Sequence, residues 1–265
     1  MMRKIPTMKQ RLQQQDVQLG AFVFSVDPAM PEVYAAAGFD FIVVDMEHGP
    51  NDLSAVLGHL RSSRGAGINA VVRVGVGDLP NIPRLLDAGC EGIVMPHLGL
   101  DDGNQAGGTT AALRSMKYHP AGDRPTCTGV PAASYGLADF GGVVERANGE
   151  VLSIGMVEDR ECVARIDDIL ARREVDWLMP GPADLSSSLG VHGQVRSPPV
   201  LKAVDTIFAA AARHNIPVGM YINDPDELPE WTKKGARFIV LSIDLKWLGR
   251  TLKAAAEKCR SLAAQ

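Results

Sequence analysis

Along most of the chain, short apolar runs rich in β-branched residues alternate with longer segments of helical period. This is the pattern of βα units around a parallel sheet. Eight runs read as strands: LGAFVFSV (19–26), FDFIVVDM (39–46), NAVVRVG (69–75), GIVMPHL (92–98), VLSIGMVE (151–158), WLMPGP (177–182), PVGMYI (217–222) and RFIVLSI (237–243). Several are apolar almost throughout, as strands buried on both faces should be. Helical segments are expected at 28–37, 52–65, 80–88, 159–172, 199–214 and 225–235. Asp27-Pro28, Asp78 to Pro80 and Asn223 to Pro225 mark helix starts, while Gly38, Gly67, Gly89 and Gly235 stand where C-caps belong. A last helix, 246–263, carries Leu248, Leu252, Ala255, Ala256 and Cys259 on one stripe.

Eight strands with intervening helices in 265 residues predict one α/β domain, a (β/α)8 TIM barrel spanning 1–265. The segment 103–150 fits this scheme least well. It contains a short helix at 109–117 and then many turn signals, and it reads as an elaborated fourth βα loop over the barrel mouth.

Composition narrows the partners. With 27 basic and 31 acidic residues the net charge is −4, which leaves no electrostatic footprint for nucleic acid or an anionic membrane. An anionic substrate must therefore be held by local cations. The apolar runs are too short for a membrane span, and the N-terminus lacks a signal peptide's apolar stretch. The four cysteines, Cys90, Cys127, Cys162 and Cys259, have neither zinc-site nor redox spacing. Scattered thiols of this kind suit a cytoplasmic protein.

In a (β/α)8 barrel the active site lies at the C-terminal ends of the strands. Polar residues cluster there: Asp45, Glu47 and His48 after the second run, Arg73 in the third, His97 in the fourth, Glu158 in the fifth and Asp184 after the sixth. Two carboxylates converging from adjacent strands, Glu158 and Asp184, repel unless a cation or proton lies between them, and hard ions such as Mg²⁺ or Mn²⁺ suit oxygen ligands. From spacing alone, a metal pair and a pair of helix-start acids fit equally well. Arg73 within an apolar run suits two-point contact with a substrate carboxylate, or a structural ion pair with a nearby acid. His48 suits a general base or acid, with Asp45 or another carboxylate orienting its ring, or a loop histidine bonded to backbone. His59, His119, His192 and His214 read as surface or loop residues. Small residues in GPADLSSSLG (181–190) let backbone amides approach an anion. Gly107-Gly108 carries little, since no phosphate-loop Lys-Ser/Thr follows.

Taken together, GFDFIVVDMEHGPND (38–52), AVVRV (70–74), LLDAGCEGIVMPHL (85–98), YHPAGDR (118–124), MVEDRECV (156–163) and GPADLSSSLG resemble the HpcH/HpaI aldolase/citrate lyase family of the phosphoenolpyruvate/pyruvate-binding barrel superfamily. The motifs occur in family order from about Leu19 to Leu248. The resemblance implies a class II, metal-dependent aldolase that reversibly cleaves a 4-hydroxy-2-oxo acid to pyruvate, or a close 2-oxo acid, and an aldehyde. It implies Glu158 and Asp184 as ligands of a divalent ion, Mg²⁺ or Mn²⁺ with Co²⁺ as an alternative. Arg73 would then grip the pyruvate carboxylate, and His48 would be the base in a dyad with a carboxylate. Asp87 of a neighbouring subunit matches the family's dyad acid, and Asp45 is nearer in sequence. The amides around Pro182, Ala183 and Asp184 would complete the pocket.

The resemblance further implies a homo-oligomer, a trimer of dimers with the last helix exchanged between subunits. Two departures face the substrate: Met156 stands where well-known members have Gln, and Pro125-Thr126-Cys127 replaces a glycine-rich segment. The same superfamily leaves room for a decarboxylase, a citrate-type synthase or an acyl-CoA lyase, though no basic patch for a nucleotide handle is evident. Outside enzymes, a barrel that only binds a 2-oxo acid would not need His48.

Overall fold

In the computed structural model, which describes residues 5–14, 16–99 and 108–264, the eight expected strands close into one parallel barrel in chain order. They are β1 (Gln18–Val23), β2 (Phe41–Asp45), β3 (Asn69–Arg73), β4 (Gly92–Met95), β5 (Leu152–Val157), β6 (Trp177–Pro180), β7 (Val218–Ile222) and β8 (Ala236–Ile243). Pairing of β1 with β8 completes the ring. The helices are α1 (Met8–Arg11), α2 (Met30–Ala36), α3 (Leu53–Ala66), α4 (Ile82–Asp87), α5 (Gly108–Ser115), α6 (Phe140–Glu150), α7 (Arg160–Ala164), α8 (Ile166–Ala171), α9 (Pro182–Ser188), α10 (Pro198–His214), α11 (Leu228–Lys234) and α12 (Asp244–Ala263). No helix among the described residues is long and apolar enough to cross a membrane.

Alternation along each strand sorts side chains between two environments. Ile42 and Val44 join Leu60, Ile82 and Leu85 in a layer beneath α2 to α5, while Val157, Leu178 and Val218 pack beneath α7 to α11. The intervening positions, Phe41, Val43, Val71, Val94, Leu152, Ile154, Trp177 and Phe238, fill the lumen with Met8 of α1. At the floor, Trp177 lies 4.3 Å from Phe238 and 5.7 Å from Phe41 between ring centroids. This packing requires glycine at 219, because a Cβ there would fall 2.5 Å from the Trp177 indole nitrogen.

The segment after β4 differs from expectation. Residues 103–107 lie outside the described residues, and Gly108 opens α5. Beyond α5 the chain forms a 3-10 turn, Pro131–Gly136, and then α6, which turn signals alone did not predict. Asp139 caps α6 by accepting from the Gly142 amide at 2.8 Å, and Val143 is buried. This part packs on the outside: Tyr118 and Lys117 bond to the end of α6, and Arg124 reaches Asp87 of α4. It forms the fourth outer layer, and none of its described residues lines the cavity at the mouth. Two smaller differences concern helices: the expected 159–172 helix breaks at Arg165, and the turn after β6 is itself helical, as α9. His59, expected at the surface, is fully buried on α3 with Nε2 at 2.9 Å from the Ser25 carbonyl.

Candidate active site

The alternation that sends Phe41 and Val43 into the lumen sends Asp45 there as well. It likewise directs Arg73 after Val71, and Met156 and then Glu158 after Ile154. Register sets Asp45 of β2 beside Arg73 of β3. Charged residues therefore occupy the last inward positions of the strands, above an apolar floor.

Arg73 is buried, and its Nε and Nη2 both donate to Asp45 Oδ2. Nη1 lies 3.3 Å from Glu47 Oε2 and 3.8 Å from Met156 Sδ, and the guanidinium stacks over Phe22 at 4.4 Å. A planar fork held on two sides this way is fixed in orientation before any ligand arrives. The fully buried Asp45 spends its other oxygen on the backbone amides of His48, at 2.6 Å, and Gly49, at 3.0 Å. Asp45 thus clamps Arg73 and the loop carrying His48, and its carboxylate is not the imidazole's partner. The carboxylate nearest the His48 ring is Glu47, with Oε2 3.8 Å from Nε2, and the ring is 59% exposed. Asn51, which sequence reasoning missed, staples this loop to β1 by donating to the Val23, Phe24 and Asp45 carbonyls.

On the opposite wall Glu158 is 2% exposed. Its Oε1 accepts the His97 backbone N–H at 2.8 Å, an N–H aimed by the left-handed backbone of His97 (φ 49°). Oε2 lies against Gly181, where a Cβ would come within 2.7 Å of it, so only glycine fits. Burial, together with the charges of Glu47 and Asp184, pushes the Glu158 carboxyl up to about 7. Burial also raises Glu47, although Arg73 opposes the shift. The His97 ring bonds to Asp159 Oδ2 at 2.9 Å, and this bond with the nearby acids raises its pKa against the effect of burial. Asp184, in the first turn of α9, is exposed and makes no hydrogen bond or ion pair among the described residues.

A cavity of about 380 Å³ opens at this mouth. His48, Arg73, Met156, Pro182, Ala183 and Asp184 all line it, with Glu158 directly behind Gly181. Asp87 does not: it ends α4 on the outside of the barrel, with Oδ1 2.6 Å from Arg124 Nη2. The far wall comes from Phe22, Phe24, Tyr221, Asn223, Trp231 and Lys246, none of which was singled out from sequence. Inward alternation along β7 from Gly219 to Tyr221 and Asn223 is the signal that would have found two of them.

The model of the HpcH/HpaI aldolase/citrate lyase family matches residues 18–250. The chain belongs to this family. A hydroxypyruvate/pyruvate aldolase of Paraburkholderia phytofirmans is 32% identical over 261 residues, covering 96% of this chain and 97% of its own. The 5-keto-4-deoxy-D-glucarate aldolase of Citrobacter koseri is 30% identical, covering 89% and 90%. Among solved structures, an HpcH/HpaI aldolase from Desulfitobacterium hafniense superposes with a TM-score of 0.87 at 26% identity, over 96% of each chain.

For an HpcH/HpaI member the question is whether these residues suit a divalent ion. Among the described residues no group of three or more His, Cys, Asp or Glu converges as a closed metal cluster. An unpartnered Asp184 on the cavity wall and a buried Glu158 directly behind it, whose carboxyl is pushed up to about 7, do fit one: two hard oxygen donors beside a cavity with room for water and substrate.

Proposed function

We propose that this chain is a divalent-metal-dependent aldolase that reversibly cleaves a 4-hydroxy-2-oxo acid to pyruvate and an aldehyde. One observation carries the reading. An unpartnered carboxylate, Asp184, lines one cavity with a fixed, buried arginine and an exposed histidine, and the buried Glu158 carboxylate lies directly behind the Gly181 that lines it. Glu158 and Asp184 would hold the ion, Mg²⁺ or Mn²⁺ with Co²⁺ as an alternative, and when bound it would supply Lewis acidity at the ketone oxygen.

The rest of the chemistry falls to the chain. Arg73, held by Asp45, takes the 2-oxo acid's carboxylate and offsets negative charge that grows on the C2 oxygen. The amides of Ala183 and Asp184, in the first turn of α9, would complete the pocket. His48, loosely held and half in solvent, accepts the C4 hydroxyl proton directly or through a water. The C3–C4 bond then breaks, its electron pair moves toward C2 to give an enolate, and the aldehyde leaves. Protonation at C3 yields pyruvate; condensation reverses each step. Met156 offers sulfur to Arg73 where an amide would offer a hydrogen bond.

Assembly belongs to the same reading. On α12 only Asp244 is buried, while Leu245, Leu248, Leu252 and Leu262 are about half exposed or more. Such a stripe supports α12 packing on a second copy as an exchanged helix; the trimer of dimers, and Asp87 completing a neighbour's site, are proposed from the family resemblance. Light scattering at micromolar concentration should give a hexamer mass; a monomer would overturn the assembly. Pyruvate release from a panel of 4-hydroxy-2-oxo acids tests the reaction. Release that stops with chelator and returns with Mn²⁺ is expected, and no release from any member refutes the reading.

A further inference from the structure

Opposite the carboxylates, the cavity wall holds a cation that neither the fold nor the proposed bond cleavage uses. Lys246 lies in the first turn of α12. Its place is set two residues earlier by Asp244, whose buried carboxylate accepts from the amides of Phe24 at 3.0 Å, Ser25 at 2.9 Å and Leu245 at 2.8 Å. That clamp ties the start of α12 to the end of β1 and brings Lys246 over β7. Lys246 Nζ donates to Tyr221 Oη at 3.1 Å and lies 5.5 Å from the ring centre. Tyr221 in turn donates to Asn223 Oδ1 at 2.9 Å, which leaves the Asn223 side-chain N–H groups with no protein acceptor among the described residues.

No carboxylate pairs with Lys246 among the described residues. The nearby acids are already occupied: Asp244 by three amides, and Glu227 by Arg196 and the amides of Asn223 and Asp224. Lys246 is exposed, and beyond Tyr221 its ammonium has protons, beside the free Asn223 amide, that no protein group among the described residues takes and that a ligand in the cavity could. Arg73, Phe22, Tyr221 and Lys246 form a continuous row across the mouth, through steps of 4.4, 6.1 and 5.5 Å. Cations thus stand at both ends of one cavity.

We infer that Lys246, with Asn223 and Tyr221, forms a subsite for a carboxylate at the far end of the substrate. The aldehyde released would then carry an acid group. This rests on the aldolase reading and adds the substrate's charge to it. One ammonium and the Asn223 amide, held together by Tyr221, match a monoanion, and its place at the far end of the row from Arg73 makes Lys246 a specificity residue, with no part in the bond cleavage.

The test compares two matched 4-hydroxy-2-oxo acids that differ only at the terminus, carboxylate against carboxamide. The parent protein should favour the carboxylate by at least about 10-fold in kcat/KM, chiefly through KM. Added salt should shrink that preference, because the site is open to solvent. Lys246→Gln should remove most of the preference and Lys246→Arg should keep most of it. Lys233→Gln, an exposed lysine on α11 outside the cavity, should leave it unchanged. Cleavage of both substrates without a charge preference, or an equal loss on both in Lys246→Gln, overturns the subsite and leaves the aldolase reading standing. Cleavage of neither overturns both.

Discussion

The floor and the mouth of this barrel are built from the same inward-facing register but filled by opposite chemistry. At the floor, Phe41, Trp177 and Phe238 stack with Met8, all essentially inaccessible to water. One or two inward positions higher, Asp45, Arg73 and Glu158 are also buried and are charged or titratable. Burying an aromatic side chain stabilises by roughly 1.5–3 kcal/mol, whereas a buried charge costs several kcal/mol unless it is paired. Stability is therefore concentrated at the floor. At the mouth, burial instead obliges charges to be paired, as Asp45 and Arg73 are, or raises a carboxyl's pKa, as at Glu158.

That contrast is broken most severely by removing a carboxylate. Glu158→Gln or Asp184→Asn should abolish pyruvate release while the fold survives. Glu158 also makes stability depend on pH. Its carboxyl is raised to about 7, so the native state holds a proton that the unfolded chain has lost, and the group's contribution to stability falls as pH rises from about 4.5 through 7. At pH 8 without a divalent ion, Glu158→Gln should be at least as stable as the parent in urea denaturation. Mn²⁺ should raise the melting temperature of the parent only. A large loss of stability in the variant would make Glu158 a structural residue.

The floor should respond the other way. Trp177→Ala should lose roughly 3–5 kcal/mol in urea unfolding, because neither Phe41 nor Phe238 can collapse into the space left. The protein that remains folded should keep its Mn²⁺ affinity. Weakened Mn²⁺ binding in that folded fraction would show that floor and mouth are coupled.

Within the mouth, the two remaining groups should separate binding from proton transfer. His48→Ala should cut turnover about 10²–10⁴-fold with little change in pyruvate affinity. If pyruvate binding is lost and turnover kept, the base must be sought elsewhere, with Glu47 the first candidate. Arg73→Lys should raise KM for the 2-oxo acid and lower kcat, together roughly 2–4 kcal/mol, or about 30- to 1,000-fold in kcat/KM. Lysine is preferred to alanine here because it leaves Asp45 opposite a charge. A variant that changes only stability would reduce Arg73 to Asp45's structural partner.

All eight strands, and with them the polar residues at their ends, were legible because a strand buried on both faces has an unmistakable run of apolar residues. Helix α6 was not: FGGVVERANGE carries three glycines, and its helicity comes from the Asp139 cap and from Val143 buried against the barrel. His59 was misplaced because a lone histidine in a helix gives no sign of which face it occupies. Asp45 was one of the acids open to the imidazole because it is near in sequence, whereas register brings it to Arg73 across the strand pair. Lys246 escaped notice because nothing local marks it; it reaches the mouth only through the clamp that Asp244 makes with residues far earlier in the chain.

The central claim, enolate formation assisted by a divalent ion at Glu158 and Asp184, is tested most directly by following the methyl protons of pyruvate in D₂O by NMR. With Mg²⁺ or Mn²⁺ present, the protein should exchange them for deuterium; after exhaustive chelation exchange should stop, and restoring the ion should restore it. Exchange at full rate in the chelated protein, or none with any divalent ion, would contradict it.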